Sequence, residues 1–426
     1  MSQVARLIIG KDDQNLEKQN IVWNMIGSFL YAFASMVLSI AVVQIAGEDA
    51  GGVFTFAFST LGQHMFTIAY FGIRPFHITD MGNQYTFGEY LGLRLFTCAA
   101  ALLVGLGFVA LNGYNADKAL AVILLVGYKV VDGLADAYEA EFQRNGRLYL
   151  TGKSNAFRTL LSVGVFLTVL AVNNNLVIAS GAALLAQITG FLLFDVLVIR
   201  ELPSIDWSVR SGKRFRLLKD NTLLFFSVVL DFYIFSASKY AIEACMTDKD
   251  MAVFGAIFMP TSVINLVAGF VIRPFLTKMS LCWELADMKR FVRSIGVLSG
   301  VIGGLTVLAL GCAWFLGIPV LSLLYSNIGY ALAECRPAFV LIILGGALNA
   351  FMSLFYYALV IMKMQKWIFG VYGIVGALAV LISNPFVAWG GIFGGALAYV
   401  ILTAALMILF GVLVLLGVIR KRGTNR

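Results

Sequence analysis

The chain has 426 residues, 60% of them hydrophobic and only 13% charged, with a mean hydropathy of +0.88 and a net charge of +8. Soluble domains carry roughly 25% charged residues, so these figures exclude a water-soluble protein and place most of the chain in lipid. The positive charge does not mark a nucleic-acid surface, because the basic residues lie in short loops between apolar runs.

The segment from Met1 to Gln19 is polar, with Lys11, Asp12, Asp13 and Glu17. It is expected to be a cytoplasmic tail. It is not expected to be a signal peptide, since the first apolar run, Ile21 to Ala46, is too long and starts too late. Apolar runs long enough to span a bilayer then recur at residues 20–46, 50–74, 88–113, 117–143, 153–172, 176–199, 220–245, 251–276, 289–316, 335–362, 366–388 and 391–419. The expected architecture is an all-α integral membrane protein with about 12 transmembrane helices. A bundle of six covers 20–199, a cytoplasmic interfacial linker 200–219, a second bundle 220–419, and a tail 420–426. The piece from Gly317 to Tyr330 is either an interfacial turn or part of a span.

The second and eighth spans read almost alike. Val53-Phe54 with Phe58 runs on to Ile73-Arg74-Pro75-Phe76, and Val253-Phe254 with Phe258 runs on to Ile272-Arg273-Pro274-Phe275. Similar halves are a common way to build a carrier. Six spans per half is even, so both halves enter the membrane in the same sense, the parallel type of repeat.

Lys and Arg are retained on the cytoplasmic side. One set of loops carries Arg6, Lys11, Lys18, Arg144, Arg147, Lys153, Arg200, Arg210, Lys213, Arg214, Arg216, Lys219, Lys278, Lys289, Arg290, Arg293, Lys363, Lys366, Arg420, Lys421 and Arg422, whereas the opposite loops carry only Lys118, Lys249 and Arg336. Both termini are therefore expected to be cytoplasmic. The linker stretch Ile205-Asp206-Trp207-Ser208-Val209-Arg210 mixes basic and aromatic residues and suits the membrane interface.

Ionisable residues inside a span are costly unless they are paired or face water. In the fourth span Lys129, Asp132, Asp136, Glu139 and Gln143 recur at spacings of three and four, which puts them on one face. The seventh span carries Asp231, Lys239 and Glu243. Arg74, Arg94, Arg158 and Asp195 lie near the cytoplasmic ends of the second, third, fifth and sixth. The last five spans have almost no charge inside them. This lopsided interior suits an amphiphile with an anionic head. Blander roles compete for each residue. Arg74, Arg94 and Arg158 are placed to anchor helix ends at headgroups, Lys129 and Asp132 to close an ion pair, and Lys239 and Glu243 to close another. Glu139 and Glu141 are expected to be solvated, and His64 to be a hydrogen-bonded packing residue.

Other chemistry finds little material. Cys98, Cys245, Cys282, Cys312 and Cys335 are scattered, without metal or disulfide spacing. Gly146-Arg147-Leu148-Tyr149-Leu150-Thr151-Gly152-Lys153-Ser154 has five residues between its glycines, where a nucleotide-binding P-loop needs four. Two histidines and no large external loop leave an enzyme reading weak.

Several stretches together match one family: Trp23-Asn24 with Gly27-Ser28; Phe71-Gly72-Ile73-Arg74 with Thr79-Asp80; Tyr128-Lys129 with Asp132, Asp136, Gln143 and Gly146-Arg147-Leu148; Gly152-Lys153-Ser154 with Arg158; Lys239-Tyr240-Ala241-Ile242-Glu243; and Phe258-Met259-Pro260 with Asn265 and Pro274. On these, the chain resembles the bacterial polysaccharide flippases, translocases of O-antigen and capsule repeat units within the multidrug/oligosaccharidyl-lipid/polysaccharide exporter superfamily. The resemblance runs from residue 20 to about 285. It implies a MATE-like fold of two six-helix bundles working by alternating access in the bacterial plasma membrane. The implied substrate is an oligosaccharide on undecaprenyl pyrophosphate, destined for O-antigen, capsule, teichoic acid or another surface polysaccharide. A polysaccharide polymerase and glycosyltransferases would be its partners.

In that setting Lys239 and Lys129 are expected to meet the pyrophosphate, with Arg74, Arg94 and Arg158 at the entrance. Asp132, Asp136, Asp231 and Glu243 would hold these cations or couple transport to a proton or Na+. No other cofactor is expected. The rival readings are a multidrug exporter of the same fold, a membrane polysaccharide polymerase or ligase, and a non-transporting scaffold.

Overall fold

A chain in lipid must satisfy its backbone hydrogen bonds internally, and this one does so with helices. The computed structural model describes residues 8–9, 15–80, 84–202, 205–209 and 213–424. Of the residues used for orientation, Arg6, Lys11 and Arg210 lie outside this set, as do the side chains of Lys213, Arg214 and Arg422. Among the described residues nine helical stretches are long and apolar enough to cross a membrane.

The chain divides into two compact units, Met1–Val229 and Leu230–Arg426. The first contains α1 (Leu16–Ala46), α2 (residues 48–70), α3 (Arg74–Thr79), α4 (Phe87–Asn112), α5 (Ala116–Arg144), α6 (Leu148–Asn173) and α7 (Leu176–Arg200). α8 (Lys213–Cys245) contains the division and runs into the second unit. There follow α9 (Asp248–Glu284), α10 (Met288–Leu324), the short α11 (Gly329–Glu334), α12 (Arg336–Ile361) and α13 (Gln365–Thr424). α13 contains two of the expected spans, separated at Gly391, whose φ of 54° and ψ of −132° interrupt the helix. The uncertain piece beginning at Gly317 continues α10 as a helix to Leu324.

Two of the expected spans fall outside the nine apolar stretches. One is α2, which carries Gln63 and His64 at its middle, and the other is α5, with its row of charges. In unit 1, α5 packs against α2, α3, α4, α6 and α7, so its polar face is turned into the bundle. Lys129, Asp132, Asp136, Glu139 and Glu141 are all buried. Glu139 and Glu141, expected to be solvated, are each only 4% exposed. The reason is that neighbouring helices supply partners along the whole length of α5.

The stretch resembling a P-loop is a helix contact. α6 begins at Leu148, directly after the turn. A methyl group at Gly152 would sit 2.2 Å from the carbonyl carbon of Trp23, and one at Gly27 would sit 2.5 Å from the carbonyl oxygen of Gly152. Only glycine permits α1 and α6 to approach this closely. Asn20 of α1 ties the same corner, accepting from the Tyr149 amide (2.8 Å) and donating to the Gly146 carbonyl (3.1 Å). Lys153 donates to the Ile8 carbonyl at 2.7 Å.

In unit 2, α12 packs against α9, α10 and α13 over a core that includes Ile272, Phe291, Leu298, Leu354, Tyr372 and Phe410. Asn349 of α12 donates to Asn265 of α9 at 2.9 Å. This polar link gives the Asn265 of the family-like stretch a packing role.

Candidate functional site

Two turns of π-helix position groups in the interior of unit 1. Ala57–Leu61 interrupts α2 and contains Phe58, while Leu192–Val196 interrupts α7 and contains Asp195. Such bulges swing one residue out of the regular helical register and recur at functional sites.

The acidic face of α5 gathers the arginines. Arg74 is bonded to Asp136 and lies 3.4 Å from Glu139, with Nη2 donating to Gln143 at 3.2 Å. Arg94 donates Nη2 to the other oxygen of Asp136 at 2.8 Å and Nη1 to the Ala69 carbonyl at 3.0 Å. Arg158 donates to Glu139 (2.8 Å), Asp195 (2.8 Å) and Ser154 (3.1 Å), and approaches Asp132 at 3.6 Å. Arg94 and Arg158 are only 2% and 3% exposed. In this conformation they are paired inside unit 1 and do not reach headgroups.

Lys129 does not close directly on Asp132. Its Nζ donates to the Tyr31 hydroxyl at 3.3 Å, and that hydroxyl donates to Asp132 at 3.1 Å. Gln187 also donates to Asp132, at 2.6 Å. The ammonium of Lys129 lies 3.9 Å from the centroid of the Phe58 ring.

Unit 2 repeats that contact with fewer partners. Lys239 Nζ stands 4.2 Å from the centroid of Phe258, and Lys239 is 7% exposed. Phe58 and Phe258 are the phenylalanines that the likeness of the second and eighth spans pairs. Each is backed by a phenylalanine one turn earlier, Phe54 at 5.0 Å and Phe254 at 5.7 Å between centroids. Among the described residues no carboxylate lies near enough to Lys239 to compensate its charge, and it makes no ion pair with Glu243. A cation over an aromatic face gains about 0.5–2 kcal/mol, less than the several kcal/mol that burying an ion costs. Among the described residues Lys239 is thus a buried amine on an aromatic face without a carboxylate partner. Asp231, two turns earlier, faces the hydroxyl of Tyr372 and lies close to Tyr356 and Tyr399.

The structure therefore brings Arg74, Arg94, Arg158, Asp132 and Asp136 together, with Lys129 attached through Tyr31, and places Lys239, Asp231 and Glu243 on α8. Tyr31, Gln187 and the two phenylalanine plates were missed by sequence reasoning. Gln187 was visible as a lone amide in an apolar run.

Asp80, next to Thr79, has a structural role. It accepts from the amides of Gln84 and Tyr85 (2.9 Å each) and from the Tyr90 hydroxyl (3.1 Å), and lies 3.6 Å from Arg144. Burial works to raise its carboxyl, but the Tyr85 and Gln84 amides, Tyr90 and Arg144 outweigh it and hold the group below the usual range. The resulting stability is present above the unfolded carboxyl value of about 3.9 and is lost as acid titrates the still lower folded value. Asp80→Asn is expected to lower stability by about 1–3 kcal/mol at neutral pH and to flatten the acid limb of a Tm-against-pH series. An unchanged acid limb would remove Asp80 from this role.

No family model matches the chain, and no curated protein matches it significantly. Solved structures do match. An inward-facing multidrug resistance MATE family transporter of the MOP superfamily superposes with a TM-score of 0.64 at 12% identity, over 99% of this chain and 98% of that one. The fold is that of the MATE transporters. A second MATE structure, in a bent conformation, gives 0.57 at 14% identity, over 100% and 99% of the two chains. A MOP superfamily transporter from Pyrococcus furiosus, described as having a binding pocket of reversed polarity, gives 0.57 at 13% identity over the same shares. The MATE fold thus covers 99–100% of the chain in these superpositions, as the resemblance implied.

Proposed function

We propose that this protein is a flippase that carries undecaprenyl-pyrophosphate-linked oligosaccharide units across the bacterial plasma membrane by alternating access, supplying a cell-surface polysaccharide. The observation that carries this reading is Lys239, a buried ammonium on the Phe258 ring with no compensating carboxylate among the described residues. A pyrophosphate provides the missing anion, and a lysine meets it as a point charge. Lys129 on Phe58 offers a second such group. The two bundles, 20–199 and 220–419, would have both termini in the cytoplasm, beside the glycosyltransferases that make the substrate, and a polymerase would act on the product. No covalent step is required of the protein.

Asp231 is the carboxylate best placed to take up a proton or Na+, because tyrosines surround it. The same acid-and-tyrosine setting favours the rival, a multidrug exporter, whose cationic substrates need an acid. Reconstitution separates the two. Proteoliposomes holding lipid-linked oligosaccharide in one leaflet should expose its glycan to an external glycosidase in a protein-dependent way, without moving ethidium. Ethidium transport with no glycan exposure would overturn the flippase reading in favour of the exporter.

A further inference from the structure

Where α12 gives way to α13, unit 2 has a cavity of about 740 Å³ walled by basic, aromatic and apolar groups. Lys363, Lys366, Arg420 and Lys421 line it together with Trp283 and Trp367. Among the described residues that line it none is acidic. Lys421 is held in place, with Nζ donating to the Trp283 carbonyl at 2.8 Å and lying 4.3 Å from its ring centroid. Trp367 is 63% exposed at the rim. The entrance is built by the stop of α12. Lys363 adopts a left-handed φ of 59°, and the Met364 amide reaches back to the Leu359 carbonyl at 3.0 Å. Glycine takes this conformation without strain, yet the chain places a lysine there.

We propose that this cavity binds the phosphate-bearing headgroup of an anionic bilayer phospholipid. The cations Lys363, Lys366, Arg420 and Lys421 suit a phosphodiester, tryptophan prefers the headgroup level, and Leu413 and Leu416 on the wall suit the first carbons of an acyl chain. The elements that meet here belong to the loops whose basic excess marks the cytoplasmic side, where the anionic surface potential lies. The site is separate from Lys239, and it stands whatever the protein transports.

Native mass spectrometry of the purified chain, titrated in neutral detergent with dioleoylphosphatidylglycerol or dioleoylphosphatidylcholine, tests this. Phosphatidylglycerol should be retained preferentially and should raise Tm. Retention should fall about a hundredfold in Lys363→Gly/Lys366→Gln/Arg420→Gln, at roughly fivefold per cation removed. Lys421 is kept because it supports Trp283. Lys366→Gln alone should show the fivefold loss if the triple variant folds poorly, and Lys363→Gly should weaken binding while relieving the turn. Equal retention of the two lipids, or unchanged retention by the variants, overturns the proposal. An equal Tm rise from inorganic phosphate alone would make this a general anion site, and preference for undecaprenyl phosphate would make it a substrate site. Either result overturns the lipid assignment.

Discussion

Lys239→Met is expected to slow flipping of lipid-linked oligosaccharide by roughly ten- to a hundredfold, the worth of a hydrogen bond to a charged group, while leaving Tm unchanged or raised. The second half of that result is the informative one. Methionine keeps the unbranched stem and its packing but removes an ammonium that is buried and uncompensated. The contact with Phe258 that is lost is worth less than the desolvation that is relieved. A lysine retained for structure would show the opposite, with Tm falling and transport following it down. Lys239→Arg should stay within several-fold of the parent rate, because the charge remains. Lys129→Met should be milder, since Asp132 keeps Gln187 and Tyr31. Parent-rate flipping by both methionine variants would move the head-group site away from α5 and α8.

The second large effect falls on stability. Asp136→Asn should cost about 3–5 kcal/mol, the usual result of removing one partner from a buried ion pair. Asp136 is shared by two guanidinium groups, Arg74 and Arg94. Arg74 would keep Glu139 and Gln143. Among the described residues Arg94 would keep only the Ala69 carbonyl and the face of Tyr70, at 5.4 Å. Its charge would then be buried without a counter-ion. Adding Arg94→Met to Asp136→Asn should recover part of the loss, because the orphaned cation goes with it. Equilibrium unfolding in detergent gives both numbers. A single variant within about 0.5 kcal/mol of the parent, the range of ordinary surface changes, would show that water reaches Arg94 and that the cluster is open.

The spans were legible because lipid imposes a length and a composition on each. The charged face of α5 was legible because the helical period alone places residues 129, 132, 136, 139 and 143 in a row. What those charges meet was not legible. Partners of α5 come from α1, α2, α3, α4, α6 and α7, at sequence separations as long as the 101 residues between Tyr31 and Asp132, and no local rule reaches that far. The expectation that Glu139 is solvated failed for this reason, because Arg158 arrives from the next helix. The likeness of the second and eighth spans was visible in Phe58 and Phe258. Their use as plates for Lys129 and Lys239 was not, because the two lysines come from helices that do not correspond, α5 and α8. Glycine at positions 27 and 152 carried a packing message that the P-loop pattern obscured.

The ion pairs of unit 1 also constrain how the chain can be made. At a helix centre each charged residue costs about 2.5–3.5 kcal/mol during insertion by the translocon, and α5 carries several. It cannot leave the translocation channel as a solitary helix. Arg94 on α4 waits for Asp136 on α5, while Arg158 on α6 meets Glu139 of the helix before it and Asp195 of the helix after it. Charges in this stretch are thus neutralised by helices both before and after them in the chain. Helices α4 to α7 are bound to enter the bilayer as one cooperative group, late and together, so truncating the nascent chain before Asp195 should leave the whole group exposed to quality-control proteolysis.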